Sequence, residues 1–452
     1  GVEALDGGGS YPVHTESLDV FNATFCRPDL TTFLGLADLG LEAIGLRLEA
    51  GRAVIECVPI SDDSWCHRCG CRGVRHGVVD RWLAHIPLGW RPTMLLVRLP
   101  RYRCRGCGCC WRHDLELAAG PRAKMTRAAV CWGLEALVVD RLSISRIAAA
   151  LGVAWDTANT AILDAGQQLL IEHPGRLNGV EVLGVDEHVW RHTRLGDKYV
   201  TVIIDLTPVR DGSGSSRLLA MIPGRSKAVF RTWLDQQSQD FRQGVEIVAM
   251  DGFTGFKTAA AEAIPDAVTV MDPFHVVKLA ADALDATRQR VQQEVHGHRG
   301  RNHDALYQAR RLLHTGLDLL RPRQIERLED LFACDDHVGV EVTWSVYQQL
   351  VSAYRSKDAT AGKASLARII ESLAHGVPKA LPELARLGRT LNKRRSDVLA
   401  FFDHPGTSNG PTEAINGRLE HLRGTALGFR NLTNYIRRAI LDTGGFRPAF
   451  HR

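Results

Sequence analysis

Between Val180 and Met271 the chain runs through apolar segments and helical patterns in an order that few folds accommodate. Val180–Trp190, Lys198–Leu206 and Arg217–Pro223 read as three consecutive, antiparallel strands. The Gly/Ser-rich stretch Asp211–Ser216 reads as an exposed loop of the second hairpin. Ser226–Gln237 has helical periodicity, Val245–Met250 is a fourth strand, Thr254–Ala263 a second helix and Ala267–Met271 a fifth strand. Two of these runs end in an acid: Gly184-Val185-Asp186-Glu187 and Ala249-Met250-Asp251-Gly252. A carboxylate at the end of a buried strand lies at the rim of a sheet, where open α/β folds place their sites.

The order βββαβαβ is that of a ribonuclease-H-like fold, in which the first and fourth strands lie side by side. Asp186 and Asp251 are then neighbours. A third acid follows the turn Ser408-Asn409-Gly410, with Pro411 and Thr412 opening a helix that carries Glu413. Three carboxylates on rigid elements can hold two hard divalent cations about 4 Å apart and cleave a phosphodiester there. Glu187 and Asp272 are secondary ligand candidates, His275 follows the fifth strand as a DNA-facing or supporting residue, and Asp205 reads as structural.

Net charge is only +5, but Ser64–Arg127 holds 13 Lys and Arg against 3 Asp and Glu, which is +10, so the remainder sums to −5. Such a segment is the footprint of a polyanion partner, here nucleic acid. Cys66-His67-Arg68-Cys69 and Cys104-Arg105-Gly106-Cys107 form two C-x-x-C knuckles in the same segment. The spacing fits one structural Zn²⁺ held by Cys66, Cys69, Cys104 and Cys107. Cys71, Cys109, Cys110, His67, His76 and His113 lie close enough in sequence to leave ligand choice open. Arg101, Arg103 and Arg105 are candidate DNA contacts. Met94–Leu99 reads as part of a hairpin arm between the knuckles.

Leu142–Thr160 has the form of a helix-turn-helix. Ser143 caps the first helix, Ile147, Ala148 and Leu151 make its inner face, and Gly152 permits the turn. The second helix would offer Trp155, Thr157, Asn159 and Thr160 to a major groove. No apolar run approaches the roughly 20 residues that span a bilayer, and the start lacks the basic end and apolar core of a signal peptide. A cytoplasmic, membrane-free protein is expected. The expected organisation is an entry segment over 1–60, a zinc-binding domain over 61–120, a helix-turn-helix domain over 121–175, the first part of the α/β core over 176–280, an all-helical insertion over 281–400, and the last part of the core with a tail over 401–452. The basic run Lys393-Arg394-Arg395 reads as a solvated face or a DNA contact.

The chain resembles bacterial DDE transposases of the ISL3 insertion-sequence family. The resemblance rests on the paired knuckles with Tyr102-Arg103-Cys104, the helix-turn-helix, Gly184–Glu187, Met250-Asp251, Asp272-Pro273-Phe274-His275, Ser408–Gly417 and Gly428-Phe429-Arg430-Asn431. It implies a catalytic triad of Asp186, Asp251 and Glu413 working with two Mg²⁺, for which Mn²⁺ can substitute. It also implies action on the terminal inverted repeats of a mobile element and on target DNA. Water would cut the element's end, and the freed 3′-hydroxyl would attack the target at the same metals. Cutting two ends together points to a homodimer on DNA. A non-catalytic DNA-binding regulator and a site-specific nuclease without strand transfer are the competing expectations.

Overall fold

The computed structural model describes residues 29–193, 198–426 and 428–450; about half of the expected entry segment lies outside them. The described residues form two compact units, one built up to Trp132 together with Ala148–Thr157, the other from Gly133–Ile147 and Ala158 onward.

The first unit is built on a sheet. β1 (Leu41–Glu49) and β2 (Arg52–Pro59) form a hairpin closed at Ala50-Gly51, as their alternation predicts. β3 (Gly73–Leu88) and β4 (Arg91–Cys104) form a long antiparallel hairpin, and β5 (Cys110–Arg112) adds to β4. The order is β1-β2-β4-β3, with β2 and β4 parallel. Ile55, Cys57, Leu83, Leu95, Val97 and Leu99 close its core. The arm anticipated at Met94–Leu99 is therefore the centre of β4, and it extends to Cys104 itself.

Three helices follow: α1 (Arg127–Val138), α2 (Ile144–Leu151) and α3 (Trp155–Gly166). Ser143 Oγ accepts from Arg146 N–H at 3.3 Å at the start of α2. Gly152 turns the chain at φ +65°, a left-handed value that disfavours other residues.

The second unit holds a five-stranded sheet: β6 (Val182–Val189), β7 (Tyr199–Asp205), β8 (Arg217–Pro223), β9 (Ile247–Met250) and β10 (Val268–Met271). Its order is β10-β9-β6-β7-β8; β6, β7 and β8 are antiparallel neighbours, while β9 runs parallel to both β6 and β10. Helices α4 (Lys227–Asp235) and α5 (Thr254–Ala263) pack with one face of the sheet through Phe230, Leu234, Phe256 and Ala260. α4 is capped by Ser226 and α6 (Pro273–His296) by Asp272, each through a side-chain oxygen.

A helical segment, α7 (Pro322–Phe332), α8 (Val338–Tyr354), α9 (Ala359–His375), α10 (Pro382–Lys393) and α11 (Arg395–Asp403), shares a core with α6. Two expected boundaries need correction. The division at 280/281 falls inside the continuous helix α6, and that at 400/401 falls inside α11. Sheet and helical segment share these elements because α6 begins at the sheet rim and carries its apolar stripe onward without a break. α12 (Gly410–Thr425) and α13 (Leu432–Thr443) cover the other face of the sheet through Ile415, Leu419, Tyr435, Ala439 and Ile440.

Candidate carboxylate and metal sites

β9 lies parallel to β6 with Val185 opposite Met250, so Asp186 and Asp251 are the next residues along two adjacent strands. Asp186 does not end its strand: β6 continues to Val189, paired with β7. The acid sits at the level where β9 stops. Burial holds the Asp186 carboxyl up to about 6, with the Asp251 charge adding to the effect; the Glu187 N–H and His275 oppose it. Asp186 Oδ1 accepts from Glu187 N–H at 2.8 Å, and Asp251 Oδ1 from Phe253 N–H at 2.8 Å.

The first turn of α12 arrives at the same point. Asn416 Nδ2 donates to Asp186 Oδ2 at 2.9 Å. Glu413 is exposed, one turn earlier on the same helix face. Gly184 makes the approach possible: a Cβ there would stand 2.6 Å from Thr412 Oγ1 and 3.2 Å from Asn409 Oδ1. Asn409 N–H donates to Asp272 Oδ1 at 2.7 Å, while Asp272 Oδ2 caps α6 through Phe274 N–H. Buried Asp272 is thereby a tie between the loop before α12 and the end of β10, not a free ligand. Glu187 is half-buried and paired with Arg225, and Asp205 is buried, accepting from Arg217 and Thr207 N–H.

Among the described residues, only one set of three or more His, Cys, Asp or Glu has all its ligand atoms within 4.8 Å, and it is the set of four thiols below. Asp186, Asp251 and Glu413 are thus more widely spread. The donors are hard oxygens, and burial, with the Asp251 charge adding to it, disfavours the ionised Asp186 carboxylate, a cost that a divalent cation offsets. Asn416 Oδ1 is a further buried oxygen without a partner beside Asp186. This all-oxygen donor set is of the kind a hard divalent cation takes.

Asn416 was not singled out from the sequence, although it lies three residues after Glu413. Nor was a buried cluster behind Asp251. Arg394 bonds Asp397 through Nε and donates from Nη1 to the Gly252 carbonyl at 3.0 Å; Lys257 and Thr269 also bond Asp397, at 2.8 and 2.9 Å. Arg394 is 3% exposed, so it is neither a solvated face nor a DNA contact. A charge run shows no difference between a buried and a solvated member.

In the first unit, Sγ atoms of Cys66 and Cys107 lie 3.6 Å apart, Cys69 and Cys104 3.3 Å, and Cys69 and Cys107 3.4 Å. A tetrahedral site with Zn–S near 2.3 Å needs sulfurs roughly 3.8 Å apart, so the donor set fits zinc. Each knuckle is Cys-x-x-Cys-Gly-Cys, with Gly70 at φ +70° and Gly108 at φ +72°. This short repeat escaped the sequence reading. N–H groups of Cys107 and Gly106 aim at Cys104 Sγ at 3.4 and 3.3 Å and help bring that thiol down to about 6. His67 is paired with Asp63 instead.

Arg101, Arg103 and Arg105 are all exposed, the first two alternating on β4 with buried Tyr102 and Cys104. Beside them opens a cleft of about 1310 Å³ whose lining includes Arg72, Arg75, Arg98 and Arg105 with Asp62 and Asp80. On α3, Trp155 and Thr160 are exposed and Thr157 half-buried, but Asn159 is only 7% exposed. Its expected presentation to a groove is corrected: the period of the helix turns it inward with Ala158 and Ile162. His275 is half-buried at the start of α6 and close enough to Asp186 to act on its charge.

Two acids on adjacent strands, met by a helix that delivers a third, define an acid-lined site at a sheet rim. The chain belongs to the ISL3 family of DDE transposases: residues 183–439, more than half of it, match that family, described as transposase. Curated relatives include the transposase for insertion sequence element IS1557 of Mycobacterium tuberculosis, 27% identical over 294 residues, covering 60% of this chain and 62% of that protein. The transposase for insertion sequence element IS1001 of Bordetella parapertussis is 26% identical over 314 residues, covering 66% of this chain and 70% of that protein. The chain thus spans less than two thirds of the length of the Mycobacterium relative.

Proposed function

We propose that the chain is a transposase that binds the terminal inverted repeats of an insertion sequence and catalyses strand cleavage and strand transfer. The observation that carries this is the Asn416–Asp186 hydrogen bond. It supports Asp186, Asp251 and Glu413 as one site although 230 residues separate the bonded pair. The sheet order, with β9 between β6 and β10, supports a ribonuclease-H-like core.

Two Mg²⁺ (or Mn²⁺), when bound, would lower the pKa of an attacking water or 3′-hydroxyl and stabilise the leaving oxygen. Asp186 and Asp251 hold that position from adjacent strands, Glu413 completes it from α12, and Asn416 fixes the Asp186 rotamer. In the first step a water oxygen bonds to phosphorus, the P–O3′ bond breaks and the 3′-oxygen leaves protonated. In the second the oxygen of that 3′-hydroxyl bonds to a target phosphorus and loses its proton, the target P–O3′ bond breaks, and the target 3′-oxygen leaves protonated. No protein nucleophile is required.

A zinc-binding domain over 61–120 and a helix-turn-helix over 121–175 would recognise the ends. Cys66, Cys69, Cys104 and Cys107 would hold one structural Zn²⁺. Arg101, Arg103, Arg105, Trp155, Thr157 and Thr160 would face double-stranded DNA, with Arg72, Arg75 and Arg98 joining them. His275 would contact DNA beside the acids. The working unit would be a homodimer on DNA, acting in the cytoplasm; no helix among the described residues is long and apolar enough to cross a membrane.

The test is a strand-transfer assay with purified protein, Mg²⁺ and labelled inverted-repeat ends, run beside Glu413→Gln. Joined products from the wild type alone are expected. Cut ends without joining would favour a nuclease, and specific binding without cutting in Mg²⁺ or Mn²⁺ a regulator.

A further inference from the structure

Phe253 is a large apolar side chain with no core to fill. It follows Asp251 by two residues and is 42% exposed, whereas Phe256 one turn later is buried. Three contacts hold Phe253 in place all the same. Its N–H donates to Asp251 Oδ1 at 2.8 Å, so its backbone is tied to the acid. Its ring meets the Phe256 ring edge-to-face, centroids 5.0 Å apart at 83°. The same ring lies against the start of α5 over Gly255, where a Cβ would stand 2.3 Å from Cε1 and 2.5 Å from Cζ. Gly255 is thus a seat that only a residue without a side chain provides. The preceding peptide is pinned as well, since the Gly252 carbonyl accepts from buried Arg394. An exposed aromatic ring this firmly fixed is a surface prepared for something flat.

We propose that Phe253 is a stacking platform for a nucleobase drawn out of the duplex beside the phosphodiester held at Asp186 and Asp251. The inference rests on the reading of that site as a DNA-cutting one. The charged backbone gains nothing from a phenyl ring, but every base has an apolar face that does. In an intact duplex those faces are covered by neighbouring bases, so only an unstacked base can use the ring. Capturing it would hold the strand bent away from its partner and fix the scissile phosphate against the acids.

The experiment compares cutting by the full chain on two labelled duplexes bearing the terminal inverted repeat. One is fully paired; the other has an unpaired base next to the scissile phosphate. Stacking on an aromatic side chain contributes enough that its loss slows cutting roughly five- to hundredfold. Phe253→Ala is expected to show that loss on the paired duplex, keep normal end binding, and recover most of the rate on the unpaired one. Gly255→Ala keeps the phenylalanine and displaces its ring, and should behave like Phe253→Ala. Phe253→Trp should stay near the wild type. A merely structural role would give the same defect on both duplexes, and that result would overturn the inference. Normal cutting by Phe253→Ala on the paired duplex would overturn it alone. Wild-type protein that cuts neither duplex would overturn both it and the reading beneath it.

Discussion

Asn416 on α12 donates to Asp186 on β6 at 2.9 Å, joining the last helical part of the chain to the first strand of its second sheet. Supporting partners of metal-binding carboxylates set their orientation, and their loss costs about 10- to 100-fold in metal affinity or activity. Asn416→Ala is expected to weaken Mn²⁺ binding and slow cutting by that factor. Asp186→Asn should abolish cutting while end binding survives. Titration calorimetry with Mn²⁺ and a cleavage assay on the same preparations check both.

Gly184→Ala should push α12 away from β6. A new Cβ would meet Thr412 Oγ1 at 2.6 Å in a packed contact. Overpacking of this kind costs about 1–3 kcal/mol. A lower melting temperature with reduced cutting is expected; an unchanged melt would mean the helix start yields freely.

Removing the guanidinium of Arg394 leaves Asp397 buried with fewer partners. Breaking a buried pair typically costs about 3–5 kcal/mol. Arg394→Ala is expected to lower the urea midpoint markedly, and Arg394→Lys to restore only part, since a lysine cannot reach Asp397 and the Gly252 carbonyl together.

One zinc per chain is expected by elemental analysis. Cys66→Ser or Cys104→Ser should lose it together with end binding, because a structural zinc carries the folding energy of its own segment. The second unit should keep its thermal transition. Specific end binding retained without zinc would refute the assignment.

His188 sets a pH dependence of stability. It is buried, bonds the Tyr435 hydroxyl at 2.8 Å, and burial depresses its pKa from 6.5 to about 4. The native state therefore binds fewer protons than the unfolded chain between these values. Stability is present in full above pH 6.5, falls as pH drops towards 4 and loses nothing further from this group below that. The loss amounts to about 3 kcal/mol. Urea midpoints measured from pH 7 to 4 should fall for the wild type and fall less for His188→Gln.

Strands were legible from the sequence because buried β-segments are short apolar runs bounded by polar turns. Val182–Val189, Arg217–Pro223 and Ile247–Met250 lie where the pattern put them, within a few residues. The knuckles were legible because ligand spacing is local. Asn159 was misread because the helical period alone does not say which face another element covers. The Arg394–Asp397 cluster was invisible because Gly252, Lys257 and Thr269, which complete it, lie more than a hundred residues away in sequence.

What the sequence by itself determined is the set of local elements, the two knuckles and the acids at Asp186, Asp251 and Glu413. Each follows from side-chain period, turn chemistry or spacing within a few residues. Only the tertiary structure decided that α12 docks on β6 at Gly184, that Asp272 ties two loops instead of standing free, and that Phe253 is held open beside Asp251. The first two depend on contacts between segments more than a hundred residues apart, and the third on how a ring packs over Gly255 and on the distant Arg394 that pins Gly252; shape, burial and hydrogen-bond geometry act together there and no local pattern records the result.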